Sequence, residues 1–80
     1  PINSFRRELQ NHHINLMIKI YSDKKFPVDA QNLSLKSLQN IYDTISKQDI
    51  QNIYDNYTQL HLLNMKSKIE IGLNFNKINK

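Results

Sequence analysis

Hydrophobic side chains return at intervals of three and four along most of this chain, and the runs they form predict its elements. Phe5, Leu9, His13, Leu16, Met17 and Ile20 make a first helical stripe, because such spacings bring side chains onto one face of a helix. The second half of that run carries a competing pattern. Ile14, Leu16, Ile18 and Ile20 alternate with Asn15, Met17, Lys19 and Tyr21, which is strand periodicity. Pro27 ends any helix before it, since it drives Phe26 away from helical dihedrals. Ser22 to Ser34 therefore reads as the longest connector. Ser34 then stands as N-cap before Leu35, Leu38, Ile41, Tyr42 and Ile45, a second amphipathic helix.

Ser46-Lys47-Gln48-Asp49 resembles a capping box, with Asp in the place where Glu or Gln is usual. It predicts a helix start within two residues of Ser46. Beyond it Ile50, Ile53, Tyr54, Tyr57, Leu60 and His61 continue a helical stripe to about Met65. The tail changes period: Ile69, Ile71, Leu73 and Phe75 alternate with Glu70, Gly72 and Asn74.

One internal repeat stands out. Gln39-Asn40-Ile41-Tyr42-Asp43 recurs identically as Gln51-Asn52-Ile53-Tyr54-Asp55. On one straight helix, a shift of twelve residues leaves the copies roughly 120° apart. A break at 46–49 would instead let each copy sit on its own short helix and bury its own Ile. The reading is therefore a mostly α, three-helix arrangement, with helices at about 4–20, 35–46 and 48–65 and a short extended or strand-like C-terminal tail. The alternative is a small α+β fold with strands near 14–20 and 68–75.

Composition narrows the function classes. Eighty residues make one small basic helical domain, 1–80, read either as a complete protein or as a piece of a longer chain. With no cysteine, disulfides cannot reinforce a thin core, which makes burial against a copy or a partner attractive. A homodimer at micromolar concentration is expected, with the alternating tail as its pairing edge. The absence of cysteine fits a reducing compartment and equally an exported protein, which leaves the location unknown, with the cytoplasm slightly favoured. The apolar run 14–21 is interrupted by Asn15 and Lys19 and is too short to span a bilayer.

Net charge is +4, and its layout is uneven. Arg6, Arg7, Lys19, Lys24 and Lys25 leave residues 1–26 at +3 against Glu8 and Asp23. The middle, 27–60, is at −2, and 61–80 returns to +3 through Lys66, Lys68, Lys77 and Lys80. The central helices thus hold too few cations to flank a DNA recognition helix.

Catalytic chemistry is poorly provided for. Gly72 is the only glycine, so no Gly-rich loop can cradle a phosphate. His12, His13 and His61 are the histidines, and adjacent histidines on a helix point about 100° apart. No metal site and no cofactor are expected. The expectation is a non-enzymatic protein-interaction module, regulatory or adaptor in kind. Its surface would be Tyr42, Tyr54 and Tyr57 with Ile41 and Ile53, since Tyr combines apolar area with a polar tip. The alternative is a small nucleic-acid-binding protein using Arg6, Arg7, Lys24, Lys25, Lys66 and Lys68. The expected partner is another protein first, nucleic acid second.

Overall fold

The computed structural model describes the backbone of residues 2–78 and the side chains of residues 5–74. Helix α1 spans Ile2–Ser22, α2 spans Val28–Ser46 and α3 spans Asn56–Ile78, with a 3₁₀ turn at Ile50–Asn52 between α2 and α3. The mostly α, three-helix architecture is present. No strand occurs among the described residues.

The turns explain where the helices stop. At the end of α1 the Ser22 hydroxyl donates to the Ile18 carbonyl at 2.6 Å. The Asp23 carboxylate accepts from the Lys25 amide, and the Phe26 amide closes a turn onto the Asp23 carbonyl. Pro27 sits at the N-cap of α2 with φ −57° and ψ 150°. Its carbonyl accepts from the Gln31 amide at 3.0 Å. Proline is suited to a helix start because it has no amide hydrogen to leave unpaired. The α2 start thus lies seven residues before the expected one, and Ser34 is a buried interior residue rather than an N-cap.

The capping box is also displaced. A break does fall at Ser46, but as the end of α2, with Lys47 as its C-cap. The cap of α3 is Asp55. Its carboxylate accepts from the Tyr57 amide at 3.1 Å and from the Thr58 hydroxyl at 2.6 Å. An Asp with two donors in reach holds a helix start better than a Ser backed by a short Asp at the third position. Those hydrogen bonds, the Thr58 hydroxyl's first, also hold the Asp55 carboxyl below its usual range.

The identical pentapeptides consequently differ in conformation. Gln39–Asp43 is regular helix within α2, whereas 51–55 runs from the 3₁₀ turn through extended Ile53 (φ −72°, ψ 121°) to the α3 cap. The second copy therefore does not ride on its own α-helix. The tail is corrected too, because α3 continues to Ile78 where alternation suggested an extended segment. The α+β pairing of 14–20 with 68–75 is absent, since both segments are helical. The edge assigned to self-association accordingly does not form over 69–74. The Phe75, Lys77 and Lys80 side chains lie outside the described residues.

Cross-helix contacts set the topology. Arg7 meets Asp55 and Tyr57, Gln10 meets His61, and Ile18 meets Gly72. Both numbers rise together, so α1 and α3 run parallel and α2 runs antiparallel between them in sequence. The result is an up-down-up bundle of the kind short connectors produce. Its core is Ile14, Leu38, Ile45, Met65 and Ile69, with Met17, Ile18, Ile41, Tyr42, Ile50, Leu62 and Leu73 packed around it. α1 packs most extensively against α2, and α2 touches α3 least.

The buried face of α1 is not the expected one. Ile14, Met17 and Ile18 turn inward, while Phe5, Leu9 and Leu16 are exposed. At about 100° per residue the latter three share a stripe some 140–180° from Ile14. α3 repeats the arrangement, with Met65 and Ile69 inside and Leu60, Leu63 and Ile71 outside.

Candidate protein-binding groove

The five residues expected to form a binding face do not come together. Ile41 packs against the core from α2. Tyr42, one residue on, is turned toward α3: its hydroxyl donates to Glu70 Oε1 at 2.6 Å, and Lys66 Nζ lies 5.6 Å from its ring centroid. The bond to Glu70 is the main reason the Tyr42 phenol is held above its usual pKa, since losing its proton would set two anions together. Tyr57 is exposed under the Arg7 guanidinium, whose Cζ lies 5.8 Å from the ring centroid. Tyr57 and Glu70 are thirteen residues apart on α3, or about 20 Å along its axis. Tyr54 projects fully into solvent and Ile53 is half-buried in the turn. There is no single tyrosine patch.

The cations are dispersed as well. Arg7 is half-buried and faces Asp55 at 4.0 Å. Lys66 is spent on Tyr42 and Lys68 is half-buried on α3. Arg6 is exposed near the start of α1, and Lys24 and Lys25 are exposed in the turn after its end. The sixteen helical steps from Arg6 to the end of α1 at Ser22 put roughly 24 Å between Arg6 and the turn that carries Lys24.

What the fold does assemble is an apolar groove of about 440 Å³, lined by Gln10, His13, Ile14 and Met17 of α1, Asn40, Ile41, Thr44 and Ile45 of α2, and Leu62 and Met65 of α3. Ile14, Ile45 and Met65 are buried and form its floor, while His13, Asn40 and Thr44 are exposed at its rim. Thr44 lies two residues beyond Tyr42, about 160° round the helix. Since Tyr42 faces α3, the groove opens on the other side of the α1–α2 pair. Both methionines of the chain line it, and flexible thioethers adapt to the shape of an occupant. No charged residue does.

Along α2, Thr44 and Asn40 of the rim continue in sequence as Ser37 and Leu33 at spacings of four, three and four. Leu9 and Leu16 do not extend the α1 side, because they lie about 140–160° round the helix from Ile14.

The polar groups here are arranged for holding rather than for bond making. Thr44 donates its hydroxyl to the Asn40 carbonyl of its own helix at 2.9 Å. Gln10 Oε1 accepts from His61 Nε2 at 2.6 Å. Burial, then the nearby Arg7 and Lys68 charges, depress the His61 pKa. The His12 and His13 rings stand 6.3 Å apart and tilted by 49°. Among the described residues no three His, Asp or Glu side chains gather closely enough to hold a metal ion. Among the described residues no helix is long and apolar enough to cross a membrane. No protein-family model, curated protein or solved structure matches the chain.

Proposed function

We propose that this chain is a non-enzymatic protein-interaction module, of a regulatory or adaptor kind, that binds its partner across the α1–α2 groove. The observation that carries this reading is the groove itself: an apolar floor between two uncharged walls in a chain where 22% of residues are charged. An uncharged, largely apolar hollow on a small surface is typical of a covered face. The tyrosine face first expected supports it less well, because Tyr42 is occupied by Glu70 and Lys66.

Nucleic acid is the second reading, and one observation favours it. Among the described residues Asp23, Asp49, Asp55 and Glu70 all accept internal hydrogen bonds, while Arg7 is the cation found in an ion pair. Those donors are neutral and leave the carboxylates charged, so what supports this reading is the net charge of +4, which suits any acidic partner.

Affinity capture from the native source, with nuclease present, separates the two. The expected result is a retained polypeptide that is lost on Thr44→Glu and kept on Tyr54→Ala. Loss of every partner on nuclease treatment, or retention despite Thr44→Glu, refutes the groove reading.

A further inference from the structure

We infer that the outward face of α1 is where two copies of this chain meet, antiparallel, about a twofold axis beside His12 and His13. This face is separate from the groove, and the inference does not rest on what the groove binds. Phe5, Leu9 and Leu16 are exposed on it. His12 and His13 are exposed between them, and half-buried Ile20 ends the strip. These six residues span an arc of about 100° round the helix, and between Phe5 and Ile20 that arc holds no Asp, Glu, Lys or Arg. Their order is a palindrome. From the midpoint between His12 and His13, Leu9 and Leu16 stand equally far to either side, and so do Phe5 and Ile20. A twofold axis there sets Leu9 against Leu16 of the second copy and Phe5 against its Ile20, each contact occurring twice. That self-match is what an isologous interface requires.

The charges fit the same operation. Glu8 and Lys19 are both exposed and lie about 20° apart in azimuth, on one margin of the arc. A twofold axis perpendicular to the helices reverses them but keeps each margin on its own side of the seam. Glu8 therefore stands beside Lys19 of the second copy, about 3 Å away along the helix axis, and Lys19 beside its Glu8. A parallel pair forms neither contact, since it puts the two like margins on opposite sides. Among the described residues neither side chain is in an ion pair within its own chain. Arg7, next to Glu8, faces Asp55. Asp23, four residues after Lys19, lies beyond the end of α1 and accepts from the Lys25 amide. Arg6 lies about 160° round α1 from Glu8, on the far margin. The strip is about 22 Å long and one helix, about 10 Å, wide. That is small beside the roughly 800 Å² that each side of a standard interface buries. The dimer is accordingly weak, with a dissociation constant between about 10 µM and 1 mM.

The test is sedimentation equilibrium of the full chain from about 10 µM to 2 mM, at low salt so that surface charges are little screened. Wild type is expected to pass from monomer to dimer. Leu9→Glu with Leu16→Glu should leave it monomeric, with circular dichroism confirming the fold. Glu8→Lys and Lys19→Glu should each weaken the dimer at least about fivefold, because each turns two attractive contacts into repulsive ones. The two together should restore it. The chain has no cysteine, so Leu9→Cys and Leu16→Cys chains can be mixed under mild oxidation. The cysteine at position 9 should then join the one at position 16 in preference to its own copy. A wild type that stays monomeric throughout overturns the inference. So does a dimer that survives the Leu9 and Leu16 substitutions, or one that is lost on Thr44→Glu instead, which moves the contact to the groove. Charge variants that associate as wild type does, or preferred joining of position 9 to itself, refute the antiparallel arrangement.

Discussion

Replacing Gly72 by Ala tests the parallel packing of α1 on α3 more sharply than any deletion of a large side chain. Within a helix, Gly→Ala should stabilise by about 0.5–1 kcal/mol, because glycine forfeits the most backbone entropy on folding. Here a Cβ would lie 3.0 Å from Ile18 Cγ1 and 3.1 Å from both Cδ1 and Cγ2. Ordinary carbon contacts are about 3.5–4.0 Å, so three atoms of one side chain must give way together. Ile18 is β-branched and held to essentially one rotamer in a helix. It cannot swing aside without an off-rotamer cost of about 0.5–1.5 kcal/mol, and forcing the helices apart is a form of overpacking, typically costing 1–3 kcal/mol. The clash exceeds the propensity gain, and Gly72→Ala should destabilise by about 1 kcal/mol. In an Ile18→Ala background the obstruction is gone, and the same change should stabilise by about 0.5–1 kcal/mol. Urea unfolding of the four proteins in this cycle, followed by far-UV circular dichroism, reads a coupling of about 1.5–2 kcal/mol. If Gly72→Ala stabilises equally in both backgrounds, Ile18 does not cover Gly72 and the α1–α3 packing described above is wrong.

Two further predictions concern the same bundle. His61 titrates below its unfolded value of 6.5 when folded, so folding favours its neutral form. Its contribution is complete above pH 6.5 and is lost as pH falls from there through the lowered folded pKa. Urea midpoints measured across that range should fall with acid, and His61→Gln should flatten that part of the profile. An unchanged slope would show that His61 is not the group responsible. At the α2–α3 connection, Asp55→Ala should lower the urea midpoint clearly, through loss of the Tyr57 and Thr58 hydrogen bonds. Ser46→Ala should stay within about 0.5 kcal/mol, as at other surface sites. The reverse order would place the α3 cap back at Ser46.

The sequence disclosed the number of helices and the presence of a break after Ile45, because Pro27 and the capping residues act locally. It did not disclose which face each helix buries. α1 offers two apolar arcs, Phe5-Leu9-Leu16 and Ile14-Met17-Ile18, and periodicity weighs them alike. What decides between them is non-local: Ile18 can approach α3 closely only because residue 72 has no side chain, and Gln10 on the same arc finds His61. The repeated pentapeptide shows the same limit from the other direction. Asp43 and Asp55 have identical neighbours on their N-terminal side, yet Thr58 stands three residues after Asp55 and supplies a second donor, while Ser46 ends α2 three residues after Asp43. Alternation in the tail misled for a related reason, since Ile69 and Leu73 are four apart and pack inward while Ile71 faces out, a pattern that a helix and a strand share over so few positions. The candidate site followed the faces. Tyrosines are judged as interface residues by type, and type could not reveal that Tyr42 is turned to Glu70. The groove instead arises where Ile14 and Met17 of α1 meet Ile41 and Ile45 of α2 over Leu62 and Met65 of α3, with His13, Asn40 and Thr44 at the rim. A second apolar arc contributes nothing to folding an isolated chain and exposes surface that water disfavours. That cost, borne on the outward face of α1, is the physical reason to expect that face to be covered when the protein is at work.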